Sequence, residues 1–430
     1  MNSSKKPSKR RPIGIDLFAG AGGLSLGFEQ AGFDIAAAVE IDPVHCATHE
    51  YNFPYSTTIC ASVTDLTGAG IRSRAMLENV EIDVVFGGAP CQGFSLIGKR
   101  AFDDPRNRLV FHYVRLVAEL QPKYCVFENV KGLTVGKHAA FLEELIDALD
   151  QAGYDVLLPY KVLNAADFGV PQDRRRLFLI GSRKGLPRPE YPLSDAECPT
   201  VWDAIGDLPD ADGFSELLDQ DSVTAKWATE SSYARRLRGT KSDPLDFSYM
   251  RTYDLDRLTC SLRTEHTALS RQRFLETPHG DTESISRFRK LDPQGLCNTL
   301  RAGTDSARGA FTSPRPIHPF LPRVITVREA ARLHSYPDWF RFHMTKWHGF
   351  RQVGNSVPPL LGRAVAVEVA KALGIKAAKP KIILNVGDTA LLAYDMGMAA
   401  KYFQVPRSVI AQRTRKRDER QIDLWEDLHA

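Results

Sequence analysis

The chain has 430 residues, 43% hydrophobic and 25% charged, enough for two or three well-filled domains with the balance of an ordinary globular protein. No run approaches 18 consecutive apolar residues, which excludes a membrane helix, and the basic opening MNSSKKPSKRRP lacks the apolar stretch of a signal peptide, which points to the cytoplasm. The net charge of +4 excludes little, but basic residues gather at the start, across 233–273 and in RTRKR near the end, as solvated faces or nucleic-acid contacts.

Residues 1–12 are expected to form a disordered basic tail. The pattern then reads strand IGIDLF (13–18), glycine turn AGAGG (19–23), helix LSLGFEQAGF (24–33) and strand DIAAAVE (34–40). A strand at 82–86, an amphipathic helix at 108–120, a strand at 123–130 and a helix at 139–153 follow, then strands at 155–163 and 175–182. This alternation predicts an α/β fold, a Rossmann-like doubly wound and mostly parallel sheet over 13–187. Periodicity fades across 188–320, which reads as a second, smaller domain. Helical signal returns at 326–337 and at 358–373, where Pro358 and Pro359 suit a helix start, so 321–375 reads as a return to the first domain. Residues 376–430 are an extension in which 399–417 suggests two short helices around a VP turn, either a helix-turn-helix or a pair docked on the body.

The first turn places Gly20, Gly22 and Gly23 at a helix start, where a nucleotide-like ligand can approach the backbone. Ser25 stands where the dinucleotide fingerprint has its third glycine. Glu40 ends the second strand and suits ribose hydroxyls. Asp16 and Asp42 add negative charge that disfavours a pyrophosphate and suits a cation, which ranks a sulfonium carrier such as S-adenosylmethionine above NAD. The stretch GGAPCQGFS (87–95) puts Cys91 on a loop at a strand's carboxyl end. The seven cysteines (46, 60, 91, 125, 198, 260, 297) form no C-x-x-C pair, so neither a disulfide framework nor a metal site is expected. On spacing alone Cys91 is an inert thiol or a nucleophile.

Taken together, IDLFAGAGGLSLGFEQAGF, GGAPCQGFS, FENVKGL, VLNAADFGVPQDRRRLFLIG, TVREAARLHSYPDWF and QVGNSVPPLLGRAVA resemble, in order, the motifs of the DNA cytosine-5 methyltransferases. The resemblance covers roughly 13–373 apart from most of 190–315. It implies a class I S-adenosylmethionine-dependent methyltransferase fold with a target-recognition domain at 188–320, acting on double-stranded DNA. Cys91 is then the nucleophile that adds to cytosine C6. Glu128 hydrogen-bonds or protonates N3. Arg176 meets the base O2, and Arg174 positions the site while Arg175 faces away.

The same resemblance assigns the cofactor to Phe18, Gly20, Gly23, Leu24, Glu40, Ile41, Pro90, Asn355 and Ser356. Where many members carry an acidic residue for the adenine amino group this chain has Ser62, with Asp65 as the other reading. Gln92, Ser95 and Lys99 would close over DNA, Arg100 beside them reads as a phosphate contact or a solvated charge, and Thr299 and Leu300 would lie near a flipped base. A monomer suffices for this chemistry. A restriction endonuclease partner, a solitary regulator and a phage shield all share it. Two other readings are the same chemistry on a structured RNA, and a DNA-binding regulator with reduced activity. A dehydrogenase would need the missing glycine.

Overall fold

The computed structural model describes residues 10–90, 108–134, 138–194, 197–303 and 315–410. Five strands, β1 (Ile13–Leu17), β2 (Asp34–Glu40), β3 (Thr57–Cys60), β4 (Val84–Gly87) and β5 (Tyr124–Val130), run parallel in the order β3-β2-β1-β4-β5. The sheet continues through β6 (Tyr154–Val156), β7 (Lys161–Asn164) and, after the two-residue β8 (Gln172–Asp173), β9 (Arg175–Arg183). β9 runs antiparallel to β5, with Tyr124 opposite Ser182 and Val130 opposite Arg176, and its other edge pairs with β6 and β7. The single strand expected at 155–163 is therefore two, parted around Pro159, which has no N–H to give a ladder.

Both faces of the sheet are buried, which explains the near-continuous apolar runs of its strands. Helices α1 (Gly23–Gln30), α2 (Pro43–Asn52), α3 (Gly68–Arg74), α4 (Arg108–Leu120) and α5 (His138–Gln151) connect the strands. Ile15, Leu17, Val85 and Phe127 pack on the side of α4 and α5, while Phe86, Val126 and Phe178 pack on the side of α1. The sequence reading left 41–81 unassigned. It holds α2, β3 and α3, and α2 buries His45, Thr48, His49 and Asn52, so its buried face is too polar to show as an apolar stripe.

Beyond the sheet come α6 (Val201–Ile205), α7 (Ser232–Arg238), α8 (Ala268–Glu276), α9 (Val327–Arg332), α10 (Lys346–Asn355), α11 (Pro359–Ala372) and α12 (Met396–Tyr402). Ile205, Tyr233, Cys297 and Leu300 share one core with Val327, Tyr336, Phe340 and Val353, and with Ala21 and Phe53 of the first domain. α11 opens with Pro359 and returns to α1, so that Leu361, Val365 and Val369 join Leu24 and Phe28. α9 is shorter than the helix expected at 326–337: Ser335 takes a left-handed φ of 64°, and the chain turns before Pro337. Its start is fixed by a capping box, Glu329 N donating to Thr326 Oγ1 at 3.2 Å and Thr326 N to Glu329 Oε2 at 2.6 Å. Thr326→Ala should cost about 1 kcal/mol of stability in urea unfolding.

Several basic residues are internal, one of them in the 233–273 cluster that reads as a solvated face or nucleic-acid contact. Arg251 is fully buried against Glu29 of α1, with two contacts of 2.8 Å. Arg332 is buried between Asp207 and Asp338. Arg235 and Arg236 on α7 remain exposed. Residues 10–12 are not a disordered tail: Arg10 pairs with Asp83 at 2.8 Å, Arg11 with Asp34 at 2.7 Å, and Pro12 O accepts from Asp34 N. In the extension, a short strand Ile383–Asn385 pairs in parallel with Met250–Thr252. Leu391 and Leu392 pack on Ala47 and Tyr51 of α2. The second helix expected in 399–417 falls largely outside the described residues.

Candidate active site

The carboxyl ends of β1, β2, β4 and β5 meet along one edge, where open α/β sheets bind ligands. At β5 the Glu128 carboxylate lies 2.9 Å from Arg176 Nε on the adjacent β9. The pair forms because the two residues are diagonal neighbours on one face of an antiparallel pair, Val130 being opposite Arg176. Burial raises the Glu128 pKa above its ordinary value, and the Arg176 and Arg174 guanidiniums offset this only in part. A carboxyl so placed holds a proton more readily than one in water.

Gly88 makes room for it. A Cβ there would stand 2.4 Å from Glu128 Oε2, so any side chain displaces the carboxylate. Next to it, Asn129 Nδ2 donates to Ala89 O at 3.1 Å and fixes the chain leading into Pro90, which is exposed. Neither Gly88 nor Asn129 was singled out from sequence, and glycines beside a Pro-Cys were the available signal. Gly88→Ala should lower kcat by about 10²-fold through a misplaced Glu128, with little change in urea midpoint because only a side-chain terminus must move. Cys91, Gln92, Ser95, Lys99 and Arg100 lie outside the described residues.

Arg174, just before β9, is wholly buried. Its Nη1 donates to Leu300 O at 2.7 Å, and its Nη2 to Gly354 O at 2.8 Å and Ser356 O at 2.7 Å. Burial lowers its pKa below the usual arginine value, with Arg176 adding to the effect. Arg175 between them is exposed. Leu300 has its side chain in the core and both backbone groups engaged, with Gln172 Oε1 accepting from its N–H at 3.1 Å. It anchors its loop from within, and its side chain presents no surface to a ligand. Thr299 is half-buried and donates from Oγ1 to Asp173 O at 2.6 Å.

At the other end of the edge, Phe18 takes a left-handed φ of 66°, a conformation rare for an aromatic residue and typical of strained ligand loops. Glu40 holds this loop: its Oε2 accepts from Gly20 N, and its Oε1 from Ile41 N and Asp42 N, each at 2.9 Å. Ile41 is exposed beside it. At Gly23 a Cβ would stand 2.4 Å from Val357 O and 2.9 Å from Ser356 Cβ, so only glycine lets α1 start beneath the 355–358 segment. Leu24 is buried under this contact. Asn355 ends α10 exposed, and Ser356 is half-buried.

Ser62 lies two residues beyond Cys60, which is opposite Glu40. Its Oγ is 2.7 Å from Thr64 Oγ1, which donates to Asp65 Oδ1 at 2.9 Å. Ser62 is half-buried, while Asp65 is exposed. Ser25, in place of a third glycine, donates from Oγ to Asp16 Oδ2 at 2.6 Å. Burial raises Asp16 to about 8. Asp42 does not face a ligand: it is buried as the cap of α2, accepting from Val44 N at 3.0 Å. Glu40 is thus the acid that borders the loop.

A parallel sheet in this order, closed by one reversed strand, with a glycine loop after β1 and an acid ending β2, is the fold of class I methyltransferases. The model of the family described as C-5 cytosine-specific DNA methylase matches residues 14–371, and the chain belongs to that family. It is a DNA cytosine-5 methyltransferase. It is 64% identical over 408 residues to Type II methyltransferase M.XorII of Xanthomonas oryzae pv. oryzae, covering 95% of this chain and 96% of that one. Type II methyltransferase M1.HphI of Haemophilus parahaemolyticus is 36% identical over 368 residues, covering 83% and 86%. A crystal structure described as a DNA modification methyltransferase encoded within an E. coli prophage superposes with a TM-score of 0.71 at 36% identity, over 84% of this chain and 99% of that one.

Proposed function

We propose that the chain transfers a methyl group from S-adenosylmethionine to C5 of a cytosine within a specific double-stranded DNA sequence, after flipping that base out of the helix. The observation that carries this is the buried Glu128–Arg176 pair at the mouth of the loop that leads to Cys91. The Cys91 thiolate adds to C6. Glu128 holds a proton at N3 and so stabilises the charge the ring acquires, while Arg176 fixes Glu128 and meets O2. C5 then carries the electron pair that takes the methyl group. Loss of the C5 proton to a base and departure of the thiolate restore the aromatic ring.

The loop after β1 suits the cofactor, since Glu40 borders it as an acid and Gly23 leaves no bulk at the start of α1. Phe18, Gly20, Gly23, Leu24, Glu40, Ile41, Pro90, Asn355 and Ser356 would hold it, with Ser62 facing the adenine. S-adenosylmethionine, when bound, supplies the electrophilic methyl. Residues 188–320 serve as the target-recognition domain, with Thr299, Gln92, Ser95 and Lys99 towards DNA. The relatives named as Type II methyltransferases support a protective role beside a restriction endonuclease, performed by a monomer in the cytoplasm.

The test is expression in a host without cytosine methylation, followed by base-resolution sequencing of 5-methylcytosine. Methylation confined to one short motif is expected. Soluble protein that binds S-adenosylmethionine but leaves the DNA unmethylated would overturn the DNA substrate and direct the search to RNA.

A further inference from the structure

Behind the site lies a closed ring of hydrogen bonds. Gln172 Oε1 accepts from Leu300 N at 3.1 Å, and its Nε2 faces Leu333 O at 3.1 Å and His334 Nδ1 at 3.0 Å. A carbonyl can only accept, so Leu333 O fixes Nε2 as the nitrogen of the amide. That nitrogen is a donor, so His334 Nδ1 must accept. The ring proton of His334 then sits on Nε2 and is donated to Ser356 O at 3.1 Å. Arg174 completes the circuit by donating to Ser356 O and to Leu300 O.

Each member is held without slack. Gln172, Arg174 and His334 are fully buried. Burial and the neighbouring Arg174 charge keep His334 well below the usual histidine range, consistent with the neutral tautomer that the ring requires. Leu300 and Ser356 are thereby joined twice, once through Gln172 and His334 and once through Arg174. Leu300 leads into the 299–303 loop on the target side, and Ser356 belongs to the segment seated on Gly23 at the cofactor loop.

We infer that His334 is a positioning residue that couples the cofactor segment at 355–356 to the target-side loop at 299–303, so that filling the first site orders the second. This rests on the cofactor site proposed above. Coupling of this kind needs one element that both sites bias, and the ring supplies it, because Ser356 O cannot shift without drawing both Arg174 and His334. Removing the His334 link leaves Arg174 as the single remaining tie between the two segments.

The test is hydrogen exchange by mass spectrometry with S-adenosylhomocysteine as the probe. In the parent chain it should slow exchange at 19–24 and, by about fivefold or more, at 297–303. In His334→Phe and Gln172→Met, protection at 19–24 should persist while the effect at 297–303 is reduced to what the remaining Arg174 tie transmits. His334→Gln, which can still donate to Ser356 O, should retain more of it than His334→Phe. Protection of 19–24 alone in the parent overturns the inference, as does equal transmission in His334→Phe and the parent. Absence of protection at 19–24 overturns the cofactor site and the coupling with it. The parent measurement decides even where a variant fails to fold.

Discussion

Glu128→Gln should transfer methyl groups about 10²–10⁴ times more slowly than the parent, the usual worth of a positioned general acid, and Cys91→Ser, which removes the nucleophile, should lose more. Glutamine keeps the size and can still bond to Arg176 and N3, but it has no transferable proton. The pH profile separates that role from mere shape. Burial raises the Glu128 pKa, so the proton-bearing form predominates below that raised value and is lost as pH rises through it. Turnover in the parent should fall along that limb, and Glu128→Gln should be flat there. The sign for stability is the same, because the fold favours the protonated carboxyl below the raised pKa and loses that contribution above it. A falling limb that survives in Glu128→Gln would assign the proton to another group.

Arg174→Met should cost about 3 kcal/mol or more in urea unfolding. Methionine fills most of the space but leaves the carbonyls of Leu300, Gly354 and Ser356 buried without donors, at about 1–3 kcal/mol each before relaxation. Arg174→Lys should recover little, since one ammonium cannot reproduce a planar fork that reaches three carbonyls. Arg176→Lys, at a half-buried site with a single carboxylate partner, should be tolerated far better in stability while still lowering turnover. Similar losses in the two variants would contradict the division between an internal anchor and a site-facing arginine.

The strand-and-helix alternation of 13–40 and 123–183 was legible, apart from the split at Pro159, because strands buried on both faces are apolar throughout and their connecting helices are amphipathic. Glu40 drew attention because it ends a strand after the glycine turn, whereas Glu128, Arg174 and Arg176 were singled out only by the resemblance of their motifs. The polar interior was not legible. Arg251 lay in a basic cluster read as a solvated face or nucleic-acid contact and is an internal tie to Glu29, since a charge can be buried once its partner arrives from a distant segment, and no local pattern announces that partner. The same blindness hid the contact between Gln172 and His334, which lie in two of the quoted motifs 162 positions apart. Asp42 misled in the opposite sense: an acid near the glycine loop read as field for a ligand, while its backbone position made it a helix cap.

The return of α11 to α1 has a consequence for synthesis. Leu24 and Phe28 emerge from the ribosome early, and their partners Leu361, Val365 and Val369 come nearly last. At about 5–20 residues per second, the first helix can pack on Phe86 and the sheet early but waits roughly tens of seconds for its α11 partners. The contact of Gly23 with Ser356 and Val357 likewise forms only after that late segment has been made.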